Sequence, residues 1–383
     1  MKWLFRFKVF LLTCLALNIY NGIKVLNFVR HFMPAFNSYV FWPLHFILCY
    51  LFVLVMLLRL GFIKPLRWFC MYSLPFYTYF FLFQFSLDVL MRLSGLLFSF
   101  MQISPVTATG ASLCLATLAI IYGTFNARQI KTVHYDLQLK KQGRDMRLAL
   151  VSDMHIGAIV GHKWVRDITD AINKAKPDII IMAGDIFDNS IDAIKNPELM
   201  LSELKRMEAD IGIFACPGNH DVDRASLEEK SSTERISSFL EKAGIKLLQD
   251  EAKLIADSFY VIGRKDTRPI GIGQKHERKT AGELTENLDK NKPIIFMDHQ
   301  PIDFPKIEEA GADLILSGHT HKGQFFPANI ATKRIFKKAG AVHYGLWKGK
   351  TAQGLVTSGA AVWGPVFRIL SNSEVAILDI KFT

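Results

Sequence analysis

Residues 312–324, ADLILSGHTHKGQ, place two histidines directly after an apolar run that is typical of a buried strand. His319 and His321 stand two positions apart. Such a pair fits a solvated loop, a catalytic base with its neighbour, or half of a metal site. The choice depends on whether further metal-binding side chains follow other strands of the chain.

Four further loops repeat this arrangement, in which an apolar strand is followed at once by polar, mostly glycine-containing sequence. Ligands collect at the carboxyl ends of strands in layered α/β sheets, so we expect these loops to meet. We interpret Asp298 and Asp303 as structural, whereas Asp188 is either a partner of a ligand's ring nitrogen or a surface turn residue. The loops SDMHIG, GDIFD, PGNHD and MDHQP supply Asp153, His155, Asp185, Asp188, Asn219, His220, Asp221, Asp298 and His299.

The chemistry of these side chains indicates a metal site. Imidazole, carboxylate and amide oxygen without thiolate suit Mn, Fe, Zn, Mg or Ni rather than a structural zinc. In an extended segment, the two outer residues of D-x-H or H-x-H point to the same side. Two divalent ions need roughly seven or eight donors with one of them shared, and the chain offers about that number.

The N-terminal third has a different composition from the rest. Residues 1–125 carry nine Lys or Arg and one acid, Asp88, whereas residues 126–383 carry 37 basic and 34 acidic residues. Runs 39–58, 68–87 and 103–125 lack charged residues and reach the roughly 20 residues that cross a bilayer as a helix. Run 9–23 is either a retained first helix or a signal peptide. Asp88 is expected to pair with Arg92, one helical turn away.

The charge pattern also predicts orientation and partners. Basic residues concentrate in the segments that a cytoplasmic N-terminus would place inside, which predicts a cytoplasmic C-terminal part in a bacterial-type inner membrane. No basic stripe interleaved with aromatic residues occurs after residue 125, so nucleic acid is not an expected partner. The expected partners are membrane lipids, and the oligomeric state stays open.

The ordered series D-x-H, G-D-x-x-D, G-N-H-D, a single His and G-H-T-H resembles the calcineurin-like metallophosphoesterase superfamily over residues 147–321. The preceding spans and the later segment TSGAAVWGPVFRI make the chain similar to its transmembrane branch, and also to bacterial phosphodiesterases and UDP-2,3-diacylglucosamine hydrolases. The resemblance implies an α/β fold, a four-layer α/β/β/α sandwich. Together with the apolar runs described above, this predicts about four transmembrane helices over 1–125, a tether or entering strand over 126–144 and a catalytic domain over 145–383.

The resemblance also implies roles for individual residues. His220 would contact the phosphate and protonate the leaving oxygen, and Asp221 would orient its ring. A hydroxide between two divalent ions would cleave a phosphodiester or pyrophosphate bond. The substrate would be a phosphate ester, with a lipid-linked one such as UDP-2,3-diacylglucosamine or a phospholipid as the leading candidate; soluble nucleotides, or an idle sensor or scaffold, are the alternatives. One ion would be held by Asp153, His155, Asp185 and His321, the other by Asp185, Asn219, His299 and His319.

Two features depart from the pattern or stay open. Related sequences commonly have glycine where Lys322 stands, so Lys322 either binds a second phosphate or lipid head group, or points to solvent. We interpret residues 357–367, TSGAAVWGPVF, as a strand and turn at the sheet edge rather than as a loop that lines the cleft.

Overall fold

The structure is a computed structural model that describes residues 2–57, 64–97, 103–221, 229–267 and 277–383. The chain divides into two compact units, Met1–Thr124 and Phe125–Thr383. The last residue of the predicted run 39–58 lies outside the described residues.

The first unit is helical in its described part. Its helices are α1 (Lys2–Phe32), α2 (Ser38–Leu57), α3 (Lys64–Leu97) and α4 (Pro105–Ala127), the last of which continues into the second unit. Among the described residues, three stretches are long and apolar enough to cross a membrane, and they are Leu12–Phe32, Pro65–Gly95 and Pro105–Ala127. The run 9–23 lies inside the 31-residue helix α1, and residues 39–57 of the run 39–58 lie inside the 20-residue helix α2.

Asp88 on α3 bonds to other residues than the one predicted from the sequence. Its carboxylate forms an ion pair with Lys24 on α1 and accepts hydrogen bonds from the hydroxyl of Tyr20 (2.6 Å) and the amide of Gln84 (2.8 Å). The predicted pairing with Arg92 was therefore wrong. Tertiary packing of α1 on α3 brings a closer cation than the next turn of the same helix does.

The second unit contains two six-stranded sheets in its described part. The first sheet has the order β1-β12-β2-β3-β4-β5, and the second has the order β10-β11-β9-β8-β7-β6. The strands are β1 (Ile130–Leu139), β2 (Met146–Val151), β3 (Ile179–Ala183), β4 (Gly212–Cys216), β5 (Ile245–Leu247), β6 (Glu251–Ile255), β7 (Phe259–Gly263), β8 (Ile294–Met297), β9 (Leu314–Ser317), β10 (Gly345–Lys348), β11 (Gln353–Val356) and β12 (Ser373–Phe382).

The two sheets pack face to face and helices cover their outer faces. One core joins Leu148 and Ile181 of the first sheet to Val261, Ile295 and Leu316 of the second. On the far side of the second sheet, helices α8 (Ala281–Thr285) and α9 (Phe304–Glu309) pack on its outward side chains. The first sheet carries α5 (His162–Ala175), α6 (Pro197–Lys205) and α7 (Glu229–Glu241), and α10 (Ala328–Lys338) follows the His319 loop.

This arrangement confirms the predicted α/β/β/α sandwich. Strands β2 and β3 are buried on both faces, which explains why MRLALV and IIIMA read as continuous apolar runs. Residues 130–139 form β1, parallel to β12 at the edge of the first sheet. Strands β2, β3 and β4 are mutually parallel, as are β8 and β9, so their carboxyl ends in each sheet lie at one edge.

Candidate metal centre

Five loops at the carboxyl ends of β2, β3, β4, β8 and β9 carry the side chains that the sequence singled out. The two sheets contribute different chemistry. Among the candidate metal ligands, the first sheet supplies both carboxylates, the amide of Asn219 and the imidazole of His155, whereas the second supplies imidazoles only. A site that combines them forms only when the two sheets are docked on each other.

One group of candidate ligands consists of Asp153, His155 and His321, all buried, with ligand atoms that lie within 4.8 Å of one another. The Nε2 atoms of the two histidines are 3.1 Å apart, and Nε2 of His321 is 3.4 Å from Oδ1 of Asp153. Two nitrogen ligands about 2.1 Å from one ion at nearly right angles lie about 3 Å apart. The spacing of the two rings therefore fits one shared cation.

A second group consists of Asp185, His299 and His319. Nε2 of His299 lies 3.0 Å from Oδ2 of Asp185, while its Nδ1 lies 2.8 Å from the carbonyl oxygen of Ala183. A carbonyl oxygen can only accept, so Nδ1 is the donor and a neutral His299 has its free lone pair on Nε2. Oδ2 of Asp185 is also 3.8 Å from Nε2 of His155, so this carboxylate lies between the two groups.

Asn219 lies two residues before Asp221 in the loop after β4, and its Oδ1 is buried without a hydrogen-bond partner. His299 Nε2 likewise has none, because in the neutral ring its lone pair cannot donate to the carboxylate oxygen of Asp185 that it faces at 3.0 Å. A buried unsatisfied polar atom costs about 1–3 kcal/mol, so such atoms indicate a missing partner. Oxygen and nitrogen donors left open beside two carboxylates fit a pair of divalent cations.

The backbone at the ligands is strained. Asp153, His155, Asp185, His319 and His321 all have positive φ, between 44° and 68°. Non-glycine residues in this region cost on the order of 1–3 kcal/mol each and cluster at functional sites. The assumption of extended D-x-H and H-x-H pairs was therefore wrong, because tight left-handed turns, rather than strand alternation, direct these side chains.

Gly184 shows how closely the loops approach each other. Its φ is +81°, and a Cβ at this position would lie 2.6 Å from Nδ1 of His299. Only glycine combines this conformation with the absence of a side chain. Gly184 thereby lets the loop after β3 in the first sheet contact the loop after β8 in the second.

The electrostatic environment keeps most of the rings neutral and one carboxylate charged. Burial and then the nearby His299 lower the pKa of His319 to about 3. Burial also lowers the pKa of His155 and His321. Burial alone would raise the pKa of Asp185, but His299 and His155 lower it below its ordinary value. Neutral imidazole and ionised carboxylate are the forms that ligate metals.

His220 lies beside these groups, with its ring centroid 4.9 Å from that of His155. Its Nδ1 is 3.4 Å from Oδ1 of Asp188. Burial would lower the pKa of His220, but Asp188 and Asp185 raise it above the ordinary value. Asp188 is thus a carboxylate beside the ring of His220, which is not a proposed ligand, so it matches neither of the two alternatives left open by the sequence.

Asp221 takes a different position from the expected one. Its Oδ1 accepts a hydrogen bond from the amide of Phe187 (2.8 Å) and its Oδ2 from the amide of Gly218 (2.8 Å). The bond from Phe187 fastens the loop after β4 to the loop after β3, and the bond from Gly218 lies within the loop after β4. Asp221 therefore organises the backbone rather than the His220 ring.

The segment after β11 crosses the candidate site, so its interpretation as a strand and turn at the sheet edge was wrong. The ring of Trp363 lies 6.1 Å from that of His220 and the side chain is 55% exposed. A Cβ on Gly359, whose φ is +83°, would lie 2.8 Å from Cβ of Asp153. Residues 357–367 form a wall of the site with an exposed aromatic lip.

Arg368 is a site residue that the sequence analysis missed. It is fully buried, and its guanidinium donates to the carbonyl oxygens of His321 (3.3 Å), Ser358 (2.7 Å) and Ala361 (2.5 Å), and lies 3.2 Å from Nδ1 of His321. It therefore ties the His321 turn to the wall segment. The only signal in the sequence is a single arginine in an otherwise apolar stretch, WGPVFRIL.

Lys322 and Asp298 contact protein groups outside the two candidate ligand groups. Nζ of Lys322 lies 4.1 Å from the centroid of the Tyr344 ring, and its φ of 53° is a conformation that glycine adopts without strain. Asp298 is buried and paired with Arg264 (3.2 Å) and Arg278, in agreement with its structural interpretation.

Comparison with known proteins shows what this chain is similar to. Residues 146–323 match the family model of calcineurin-like phosphoesterases. An uncharacterized metallophosphoesterase of Helicobacter pylori is 31% identical over 252 residues, which cover 64% of this chain and 62% of that protein. One from Aquifex aeolicus is 27% identical over 69% of this chain and 98% of its own length. A transmembrane protein with metallophosphoesterase domain from Danio rerio is 28% identical over 79% of this chain and 70% of its own length.

Proposed function

We propose that the protein is a membrane-anchored hydrolase that uses two divalent cations to cleave phosphodiester or pyrophosphate bonds, because residues 146–323 match the family model of calcineurin-like phosphoesterases. One observation carries the proposal. Candidate ligands from five loops of two sheets converge at one edge, and Asn219 Oδ1 and His299 Nε2 remain buried there without a hydrogen-bond partner.

The proposed ligand sets follow the two groups. The first ion would be held by Asp153, His155 and His321, and the second by Asn219, His299 and His319, with Asp185 shared by both. When bound, such cations act as Lewis acids toward the phosphate and lower the pKa of a water molecule.

The remaining residues have roles that follow from their positions. His220 would bind the phosphate and donate a proton to the leaving oxygen, because the nearby Asp188 favours its charged form. Trp363 would cover the apolar part of the substrate and exclude water from the bond that breaks. Arg368 would hold the His321 turn in place.

The decisive experiment measures hydrolysis of bis-p-nitrophenyl phosphate by the purified full chain with added Mn²⁺. We expect activity that EDTA abolishes, and a decrease of about 10²–10⁴-fold in the His220→Ala variant, which loses the proton donor. His134→Ala is the matched control, because His134 is exposed on the edge strand β1. A wild-type rate in His220→Ala would contradict the role of His220 as the proton donor. Hydrolysis that persists in EDTA would contradict the dependence on divalent cations.

We further propose a lipid-linked substrate, either a phospholipid or a sugar-nucleotide lipid such as UDP-2,3-diacylglucosamine. Three apolar helices of spanning length would tether the domain near the bilayer, and the exposed Trp363 beside His220 suits an apolar group. Mass spectrometry of a cell lipid extract incubated with enzyme and metal tests this. Turnover of nucleotide diesters with an unchanged lipid extract would favour the soluble alternative. The domain would face the cytoplasm, which a reporter fused after Thr383 checks.

A further inference from the structure

A group of basic side chains lies in the Phe125–Thr383 unit, beside the loop that continues from His155. A cavity of about 250 Å³ opens beside the first residues of α5 and α6. Arg128, Lys163 and Lys195 line it together with His162, and none of its lining residues is acidic. None of the seven proposed metal ligands lines it, although Gly157, two residues after His155, does.

These three cations lack ion pairs with any carboxylate in the described part of the chain, unlike Arg166 and Arg206 on the same two-helix layer. The guanidinium of Arg128 instead lies 5.6 Å from the ring of Trp164. Like charges that share a cavity repel one another, and an anion bound between them would relieve the repulsion. The lining therefore selects a negatively charged ligand.

The starts of the two helices beside the cavity also favour a negatively charged ligand. Helix α5 begins after Gly161 and helix α6 after Asn196, and neither residue caps its helix through a side-chain hydrogen bond. Amides at the start of a helix favour anions, phosphate in particular. Glu198 in the first turn of α6 does not line the cavity, and α5 has no acidic residue in its first turn.

The cavity also has an apolar side. Trp164, Ile194 and Met200 line it and are buried, and Ile159 adds a half-buried aliphatic surface. Inorganic phosphate alone would leave this surface without a contact. A phosphate joined to a hydrocarbon portion would use both sides of the cavity.

The position of Arg128 in the chain indicates where such a ligand is found. Arg128 is the first residue after α4, whose Pro105–Ala127 stretch is long and apolar enough to cross a membrane. The side-chain amide of Asn126 donates to the carbonyl oxygens of Arg368 (3.1 Å) and Ser371 (2.9 Å), which fastens the end of this helix within the second unit. Lipid head groups lie at the level where spanning helices end, and basic residues there attract anionic lipids.

We propose that this cavity binds the phosphate of an anionic phospholipid head group between Arg128, Lys163 and Lys195, with the adjoining glycerol and first acyl carbons against Trp164 and Met200. Bound lipid would fix the catalytic unit at the membrane surface. The site is independent of the metals and of the hydrolysis proposed above.

The test is calorimetric titration of the full chain in a neutral detergent, with EDTA present so that the metal centre does not bind the probe. The probes are dihexanoyl phosphatidate and inorganic phosphate. We expect phosphatidate to bind at least about tenfold more tightly than phosphate, and Lys163→Gln combined with Lys195→Gln to weaken phosphatidate binding about tenfold or more. The combination Lys163→Arg and Lys195→Arg keeps both charges and should retain binding.

The matched control is Lys174→Gln with Lys205→Gln, which removes the same charge from the other ends of the same two helices. We expect it to bind phosphatidate as the wild type does. Equal affinity for phosphatidate and inorganic phosphate would show that the cavity binds free phosphate rather than a lipid, which would overturn the proposal. Unchanged binding in the Lys163→Gln, Lys195→Gln variant, or equal losses in the control, would overturn the site. Circular dichroism of each variant verifies that the fold is retained.

Discussion

The ion cluster of Arg166, Glu203 and Arg206 and the candidate metal centre both crowd charged side chains together, but their hydrogen bonding differs. Oε1 of Glu203 accepts from Arg166 (2.7 Å) and Oε2 accepts from Arg206 (2.6 Å), and Arg206 also reaches Asp170 (2.6 Å). In the metal centre, buried atoms of Asn219 and His299 have no hydrogen-bond partner.

The backbone conformation also differs between the ion cluster and the metal centre. Arg166 and Glu203 lie within helices, and Arg206 ends α6 with a φ of −75°. Five of the seven proposed metal ligands have left-handed φ. A cluster whose members satisfy one another needs nothing further, whereas strained backbone together with open lone pairs indicates a ligand that the protein chain does not supply. The combination of open ligand atoms with left-handed backbone, rather than charge density, therefore distinguishes the metal centre from this cluster.

The largest effect is expected at Asp185, whose carboxylate lies between both ligand groups. Asp185→Asn removes the negative charge that the two proposed ions share. We expect the hydrolysis of bis-p-nitrophenyl phosphate to fall by about 10³-fold or more. The bound metal, measured by inductively coupled plasma mass spectrometry, should fall well below that of the wild type.

The control for this substitution comes from the completed cluster. Asp170→Asn makes the same chemical change at an exposed carboxylate paired with Arg206, and should leave metal content and rate near wild type. If Asp185→Asn kept its full metal content, the shared position of this carboxylate would be wrong. If both variants lost metal alike, the contrast between the two regions would not hold.

A smaller effect is expected at Arg368, which supports a ligand without being one. Arg368→Lys keeps the charge but loses the planar set of donors that joins the His321 turn to Ser358 and Ala361. We expect metal affinity, measured by competition with a chelator, to weaken by about 10–100-fold.

Arg166→Lys is the matched control, because this arginine donates to Glu203 at the surface of the helical layer. We expect its metal affinity to equal that of the wild type. A purely structural role for Arg368 would instead lower the melting temperature of Arg368→Lys and leave the chelator competition unchanged.

Much of the fold could be predicted from local sequence. Apolar runs such as ADLILS and IIIMAG mark strands that are buried on both faces, and the polar loops after them mark the edge where ligands gather. The alternation of these strands with amphipathic stretches such as KWVRDITDAINKA, which forms α5, indicates an α/β fold. These signals are local, so one sequence suffices to read them.

The missed features depend on contacts between distant parts of the chain. Asp188, rather than Asp221, faces His220, because Asp221 is held by the amides of Phe187 and Gly218. Arg368 reaches His321 across 47 positions of sequence. Motif spacing does not show the direction of a side chain, and left-handed turns remove the strand alternation that a sequence argument assumes.

The smallest effect is expected within the completed cluster, at Glu203. Burial would raise the pKa of Glu203, but Arg166 and Arg206 lower it below its ordinary value of 4.5. A depressed carboxyl pKa stabilises the fold above about pH 4.5, and this contribution is lost as the pH falls through the folded-state pKa. Glu203→Gln should therefore lower the melting temperature at pH 7 by about 2–4 °C and make little difference near pH 3. The control is Glu309→Gln, at an exposed carboxylate without an ion pair among the described residues. It should leave the melting temperature unchanged both at pH 7 and near pH 3. If the difference in melting temperature between Glu203→Gln and the wild type were larger at pH 3 than at pH 7, the pKa of Glu203 would be raised rather than lowered in the folded state. The contrast with the metal centre would then not hold.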